Sequence, residues 1–205
     1  YGYGTLGSWE YDDYGYTRTF LIKFDSDGNR IWNKIFNEPS PGFWDSNSIE
    51  SATIDDYGNI VLVGNEILTS GYGMDAIIRI VDSDGNTILF DIYSDTNINS
   101  NNEYLTDVIQ TTDGNYAAVG KAYNSENSIR PIIIIFNQNG IISTQFVESA
   151  LLMDVSQNMS VIELQNGNLL IAGGTNSNYA FIALLEPNGE LIKGILDKSQ
   201  LSTKK

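Results

Sequence analysis

"DDYGNIVLVGNE" at residues 55–66 returns as "TTDGNYAAVGKA" at 111–122 and as "LQNGNLLIAGGT" at 164–175. Each copy sets a Gly-Asn turn ahead of a run of small and branched apolar residues. A second motif interleaves with the first. "FDSDGNRIW" (24–32) is echoed by "VDSDGNTILF" (81–90), "FNQNGIISTQF" (136–146) and "LEPNGELIKG" (185–194). Turn glycines of the first kind, Gly58, Gly114 and Gly167, lie 56 and 53 residues apart; those of the second, Gly28, Gly85, Gly140 and Gly189, lie 57, 55 and 49 apart. Two motifs sharing one period of this length are the sign of a repeat architecture.

Within a period the order is strand, turn, strand, loop, strand, turn, strand. The segments are short, rich in Val, Ile, Tyr and Phe, and punctuated by Gly-Asn, Asp-Gly and Asn-Gly. "AIIRIV", "FLIKF" and "IIIIF" are apolar on both faces, as strands buried between two packed sheets require. Four antiparallel strands per repeat predict an all-β fold, a β-propeller or propeller segment. The spacing predicts blades at 48–93, 104–147 and 158–196, a partial blade at 1–36 and a tail at 197–205, about three and a half blades in one repeat region. Helical patterning is confined to one candidate, "ESALLMDVSQNMS" (148–160).

Asp25, Asp27 and Asn29 alternate as the first ligands of an EF-hand loop do. The repeats decide between calcium and turn chemistry. At the four equivalent turns the sequence reads Asp25-Ser-Asp27-Gly, Asp82-Ser-Asp84-Gly, Asn137-Gln-Asn139-Gly and Glu186-Pro-Asn188-Gly. Asp or Asn before Gly persists while the carboxylate count thins. Gly at loop position 6 and Glu at position 12, which such a site needs, are replaced by Arg30 and Phe36, or by Thr87 and Tyr93. No metal is expected here, and no cofactor.

These motifs resemble the degenerate propeller repeats of many secreted bacterial and archaeal proteins. The match is best at "TTDGNYAAVG" and "FDSDGNRIW" and loosest in the fourth copy. The resemblance covers most of residues 17–196 and implies a noncatalytic surface or scaffold module; it carries over no catalytic residue. Fold alone does not decide function, because propellers host binding modules and hydrolases alike.

Strand counting gives three copies of the first hairpin and four of the second, so fourteen strands are expected. The surplus hairpin, "TRTFLIKF" to "RIWNKIF", lacks a full inner pair. Aligning Gly7 with Gly64 makes "YGYGTLG" the end of one inner strand, with its partner still absent. The chain therefore reads as part of something larger, with Tyr1 not a natural start and the missing strands supplied by another segment or subunit.

Composition narrows the chemistry. Lys+Arg is 11 and Asp+Glu 26, a net charge of −15, which repels phosphate backbones and argues against nucleic acid. With no His and no Cys, triads, thiolate nucleophiles and imidazole-bound metals are excluded within this chain. The longest apolar run, "YAFIALL" (179–185), is far below the roughly 20 residues of a membrane helix. An acidic, tyrosine-rich, cysteine-free chain suits an extracellular or cell-surface location.

Candidate contact residues are aromatic. Trp9, Tyr11 and Tyr14 stand among the six aromatics of residues 1–16, and Phe43 and Trp44 lie in "NEPSPGFWDSN" (37–47). Such residues stack on sugars or anchor proteins, or else pack against their own propeller. Glu50, Asp107 and Glu163 fall near inner strands, where two carboxylates would suffice for a glycosidase. Yet Asp107 aligns with Ser51 and Ser160, not with the glutamates, which favours solvated strand-end charges. The leading expectation is a noncatalytic binding or assembly module and no enzyme, its partner a protein, another copy or a glycan; the alternative is part of a carbohydrate-active hydrolase whose catalytic residues lie outside this chain.

Overall fold

The structure, a computed structural model, describes residues 2–8, 18–36, 46–67, 73–94, 102–123, 129–147, 155–175 and 180–197. Among them are fifteen strands and no helix. Blade 1 holds β1 (Gly2–Ser8), β2 (Arg18–Phe24) and β3 (Arg30–Phe36). Blade 2 holds β4 (Ser46–Ile54), β5 (Ile60–Ile67), β6 (Met74–Val81) and β7 (Thr87–Tyr93). Blade 3 holds β8 (Glu103–Gln110), β9 (Tyr116–Tyr123), β10 (Ile129–Asn137) and β11 (Gly140–Phe146). Blade 4 holds β12 (Val155–Glu163), β13 (Leu169–Thr175), β14 (Ala180–Leu185) and β15 (Leu191–Asp197). Each sheet is an antiparallel meander in chain order, and the first strands of blades 2, 3 and 4 lie side by side, β8 between β4 and β12. The expected segment of four-stranded propeller blades is the architecture found.

Two expectations on strands need correction. β1 pairs along its whole length with β2, Gly2 opposite Phe24 and Ser8 opposite Arg18, so "YGYGTLG" is the single inner strand that the glycine alignment offered, one more than the fourteen counted, and its register is what differs. Gly7 faces Thr19 and thereby occupies the place of Asn65, one residue from the expected register with Gly64. The helical candidate at 148–160 is strand in its described part, 155–160, where β12 pairs with β13 through a register shift between Val155 and Met159.

The turns show why Asp and Asn recur. Oδ1 of Asp25 accepts the amides of Asp27 (2.9 Å) and Asn29 (2.8 Å), and Oδ2 accepts Nδ2 of Asn29 at 3.1 Å. Asp55 with Tyr57 and Asn59, and Asp82 with Asp84 and Asn86, repeat this arrangement atom for atom. Both carboxylate oxygens are thus engaged in ordering the loop, and Gly28 closes it at φ 83°, which a Cβ disfavours. These bonds favour the ionised form. The carboxyl of Asp25 is held below its ordinary value chiefly by the Asn29 side chain, that of Asp82 by the Asn86 amide.

The core lies between blades. Blades 1 and 2 meet through Leu21 and Phe36 against Ile60, Leu62 and Val81, with Arg79 stacked between the rings of Phe36 (4.5 Å) and Phe90 (4.4 Å). Trp32 is half-buried at this seam and donates its indole N–H to the Ser83 carbonyl at 3.2 Å. Blades 2 and 3 meet through Val61, Val63 and Ile78 against Leu105, Ala118 and Ile134. Blades 3 and 4 meet through Val119 and Ile133 against Val161, Leu169 and Leu185. Seven residues before each second-type turn glycine stand Leu21, Ile78, Ile133 and Ile182. The first three are fully buried by the next blade; Ile182, with no described blade beyond it, is 46% exposed.

Candidate functional site

The two ends of the blades differ. One end carries the tight glycine turns, six of the seven described sharing one backbone pattern, with the turn at Gly140 the exception. At the other the strands are joined by segments of unlike length and sequence, 37–45, 68–73, 95–101 and 124–128. Variable connections on a rigid scaffold are where binding groups concentrate, and here the inner strands open a cleft of about 320 Å³, lined by residues of β4, β5, β6, β8 and β9.

Two β-bulges shape this cleft. Opposite Gly64 and Val63, strand β4 carries one extra residue, Glu50; opposite Gly120 and Val119, strand β8 carries Thr106. Bulges re-aim side chains and interrupt pairing. They also draw the backbones so close that a Cβ on Gly64 would fall on the Ser48 carbonyl, and one on Gly120 on the Tyr104 carbonyl. Glu50 is turned outward, its Oε1 accepting the Ser48 hydroxyl at 2.8 Å. Thr106 reaches blade 4 instead, donating to the Met159 carbonyl at 3.0 Å and accepting its amide at 3.3 Å.

Lys121 sits deepest. It is 5% exposed, lies opposite Tyr104 on the neighbouring strand, and holds its ammonium 4.7 Å from the centre of that ring. Burial pushes the Lys121 pKa down, and loss of water pushes that of Tyr104 up. The rest of the lining is polar or soft: Asn65 donates its amide N–H to the Met74 sulfur at 3.4 Å, and Met74 in turn donates its backbone N–H to Asn102. The cleft thus pairs a partly buried cation with hydroxyl, amide and carboxylate groups able to bond sugar hydroxyls.

The three carboxylates singled out in the sequence come apart. Asp107 joins three blades: Oδ1 accepts the Ser51 hydroxyl at 3.1 Å and the Val108 amide at 3.0 Å, while Oδ2 accepts the Ser160 hydroxyl at 2.6 Å and the Val161 amide at 3.0 Å. Its alignment with Ser51 and Ser160 is therefore a physical contact. Glu163 receives the amide and hydroxyl of Thr112, both at 2.8 Å. For these two the expectation of solvated strand-end charges is corrected; they lock blade to blade. Only Glu50 reaches the cleft.

Trp9, Tyr11, Tyr14, Phe43 and Trp44 lie outside the described residues. The sequence reading passed over Ser48, Tyr104 and Lys121, yet one signal was available. Lys121 falls seven residues after a turn glycine, where the other copies have Asn65 and Gly174, and it interrupts an otherwise apolar strand. Among the described residues no three His, Cys, Asp or Glu side chains converge as a metal site, and no helix is long and apolar enough to cross a membrane.

The fold so defined, antiparallel propeller blades with their first strands side by side, is shared with solved sialidases. The chain is similar to the Hadza microbial sialidase Hz136 (12% identity, TM-score 0.65, over 89% of this chain and 40% of that one). It is also similar to the Trypanosoma rangeli sialidase (10%, 0.58, 88% and 33%) and to the same enzyme in complex with sialic acid (10%, 0.55, 88% and 32%). The chain spans 40% or less of the length of these structures, and at such identity the likeness concerns the fold. No family model matches the chain, and no curated protein matches it. The expectation that the chain is no enzyme is corrected by these neighbours, since the solved propellers it is similar to are sialidases.

Proposed function

We propose that the chain is part of a carbohydrate-active hydrolase of propeller fold, with the catalytic residues contributed from outside residues 1–205. The observation that carries this reading is the superposition of 89% of the chain on 40% of a sialidase. The open first sheet fits it: among the described residues nothing pairs the free edge of β1, and the face bearing Ile182 has no cover. Such faces leave apolar area in water at about 25 cal/mol per Å², so strands from another segment or subunit would complete the ring. An extracellular or cell-surface setting suits a protein that meets polymeric glycans.

The test compares the intact protein containing these blades with residues 1–205 alone, on a panel of fluorogenic α- and β-glycosides. The reading expects turnover of at least one glycoside by the intact protein and none by the fragment. An intact protein that cleaves none of the panel overturns it, whether or not it binds polysaccharide.

A further inference from the structure

We propose that the cleft between blades 2 and 3 binds the oxyanion of an acidic saccharide, a carboxylate or a sulfate, at the Lys121 ammonium. This deepens the glycan reading above and rests on it for the saccharide part alone. Lys121 is 5% exposed, yet among the described residues its ammonium is in contact with the Tyr104 ring alone, and burial is the cause of its lowered pKa. Among the described residues no carboxylate neutralises it, in a chain where acids outnumber bases by more than two to one. The stem is packed away and the ammonium opens on the cleft, partly stripped of water with no anion beside it, which is unfavourable, and a strand position filled by Asn65 and Gly174 in the other copies places no demand for Lys. The cost is offset when a ligand brings the missing charge.

The surroundings are consistent with such a ligand. The group on the cleft that could compete for the ammonium, Glu50, is exposed at the lip with its Oε1 taken by Ser48. Tyr104 offers a ring beneath the cation and an apolar edge for a pyranose face. Ser48 and Asn65 on the opposing blade lie where hydroxyls of the same ring would meet hydrogen-bonding groups.

The experiment uses the full chain with galactose, galacturonate and galactose 6-sulfate as matched neutral, carboxylated and sulfated probes, and inorganic sulfate as a sugar-free one. Binding is followed by NMR together with the Lys121 pKa, read from a ¹³C-dimethylated sample. One or both anionic sugars should bind roughly 10- to 100-fold tighter than galactose, the span of one charge-assisted hydrogen bond, and should raise the Lys121 pKa. K121M, which keeps the stem and removes the charge, should abolish the preference; K121R should keep it. Equal binding of all three sugars, or a preference that survives K121M, overturns the proposal and leaves the glycan reading intact. A rise in the Lys121 pKa with inorganic sulfate, with none of the sugars bound, keeps the anion site and defeats the saccharide. If K121M does not fold, K121R and the pKa response of the unsubstituted chain decide, and a pKa unmoved by every anion overturns the site.

Discussion

Tyr116, the first residue of β9, donates its phenolic proton to Oδ2 of Asp55 at 2.7 Å, across 61 residues of sequence and from one blade to the next. Asp55 is also the residue that orders the blade-2 turn, so this turn is tied both to itself and to blade 3. The Tyr116 ring is buried beside Phe136, centroids 5.1 Å apart.

Replacing Tyr116 with Phe should cost about 1.5–3 kcal/mol, the net worth of a hydrogen bond to a charged acceptor, with little change in structure. Loss of water, then the Asp55 carboxylate, pushes the Tyr116 pKa up from 10.0 to about 12. A raised folded value stabilises the protein fully below pH 10 and progressively less as pH rises toward 12. Thermal melts across that window should fall more steeply for the unsubstituted chain than for Y116F.

The acid limb runs the other way. Asp25 and Asp82 have lowered folded values, so what they contribute is present above their ordinary pKa of 3.8 and is lost as pH falls through the folded ones. D25N and D82N should leave melts less dependent on pH in that acidic window. Unchanged slopes would show that the turns do not need their carboxylates.

Asp107 should behave as a three-blade fastener. D107A should destabilise by roughly 2–4 kcal/mol, because two amides and two hydroxyls lose a charged acceptor at once. A double-mutant cycle of Ser51→Ala with Asp107→Ala, read by urea denaturation, should give a nonzero coupling energy, since the groups touch. Additivity would mean the hydroxyl bond contributes nothing.

Gly120→Ala should be among the most damaging single-methyl additions in the chain. Its Cβ would occupy the place of the Tyr104 carbonyl, so β8 must shift, at roughly 3 kcal/mol, the upper end of the usual range for overpacking. Gly114→Ala, where a Cβ meets nothing within 4 Å, should cost only the left-handed backbone penalty of about 1–2 kcal/mol. Reversal of that order in denaturation experiments would mean that the β8 backbone yields readily.

The blades were legible because turn chemistry and strand periodicity are local. Asp82-Ser-Asp84-Gly marks its hairpin without reference to anything distant. β1 was harder: "GYGTLGS" has no turn motif ahead of it and joins β2 by backbone pairing, which glycine-rich sequence barely encodes. The cleft was less legible still. Its shape depends on bulges at Glu50 and Thr106, and a bulge shifts which side chains share a face without altering composition. The partnership of Asp107 with Ser51 and Ser160 was visible as an alignment, but only side-by-side packing of β4, β8 and β12 turns alignment into contact.

Leu21, Ile78, Ile133 and Ile182 share one register position, and every blade that follows presents the same kind of surface to it. Each copy therefore encodes both halves of a joint that it never makes with itself. A gene carrying such copies can gain or lose one by unequal crossing-over without inventing a new fit, because the newcomer brings a compatible socket and plug. Blade number is then free to drift under selection while the joint stays fixed, and loop-end residues such as Lys121 can diverge singly, one copy at a time, against a scaffold that tolerates their change.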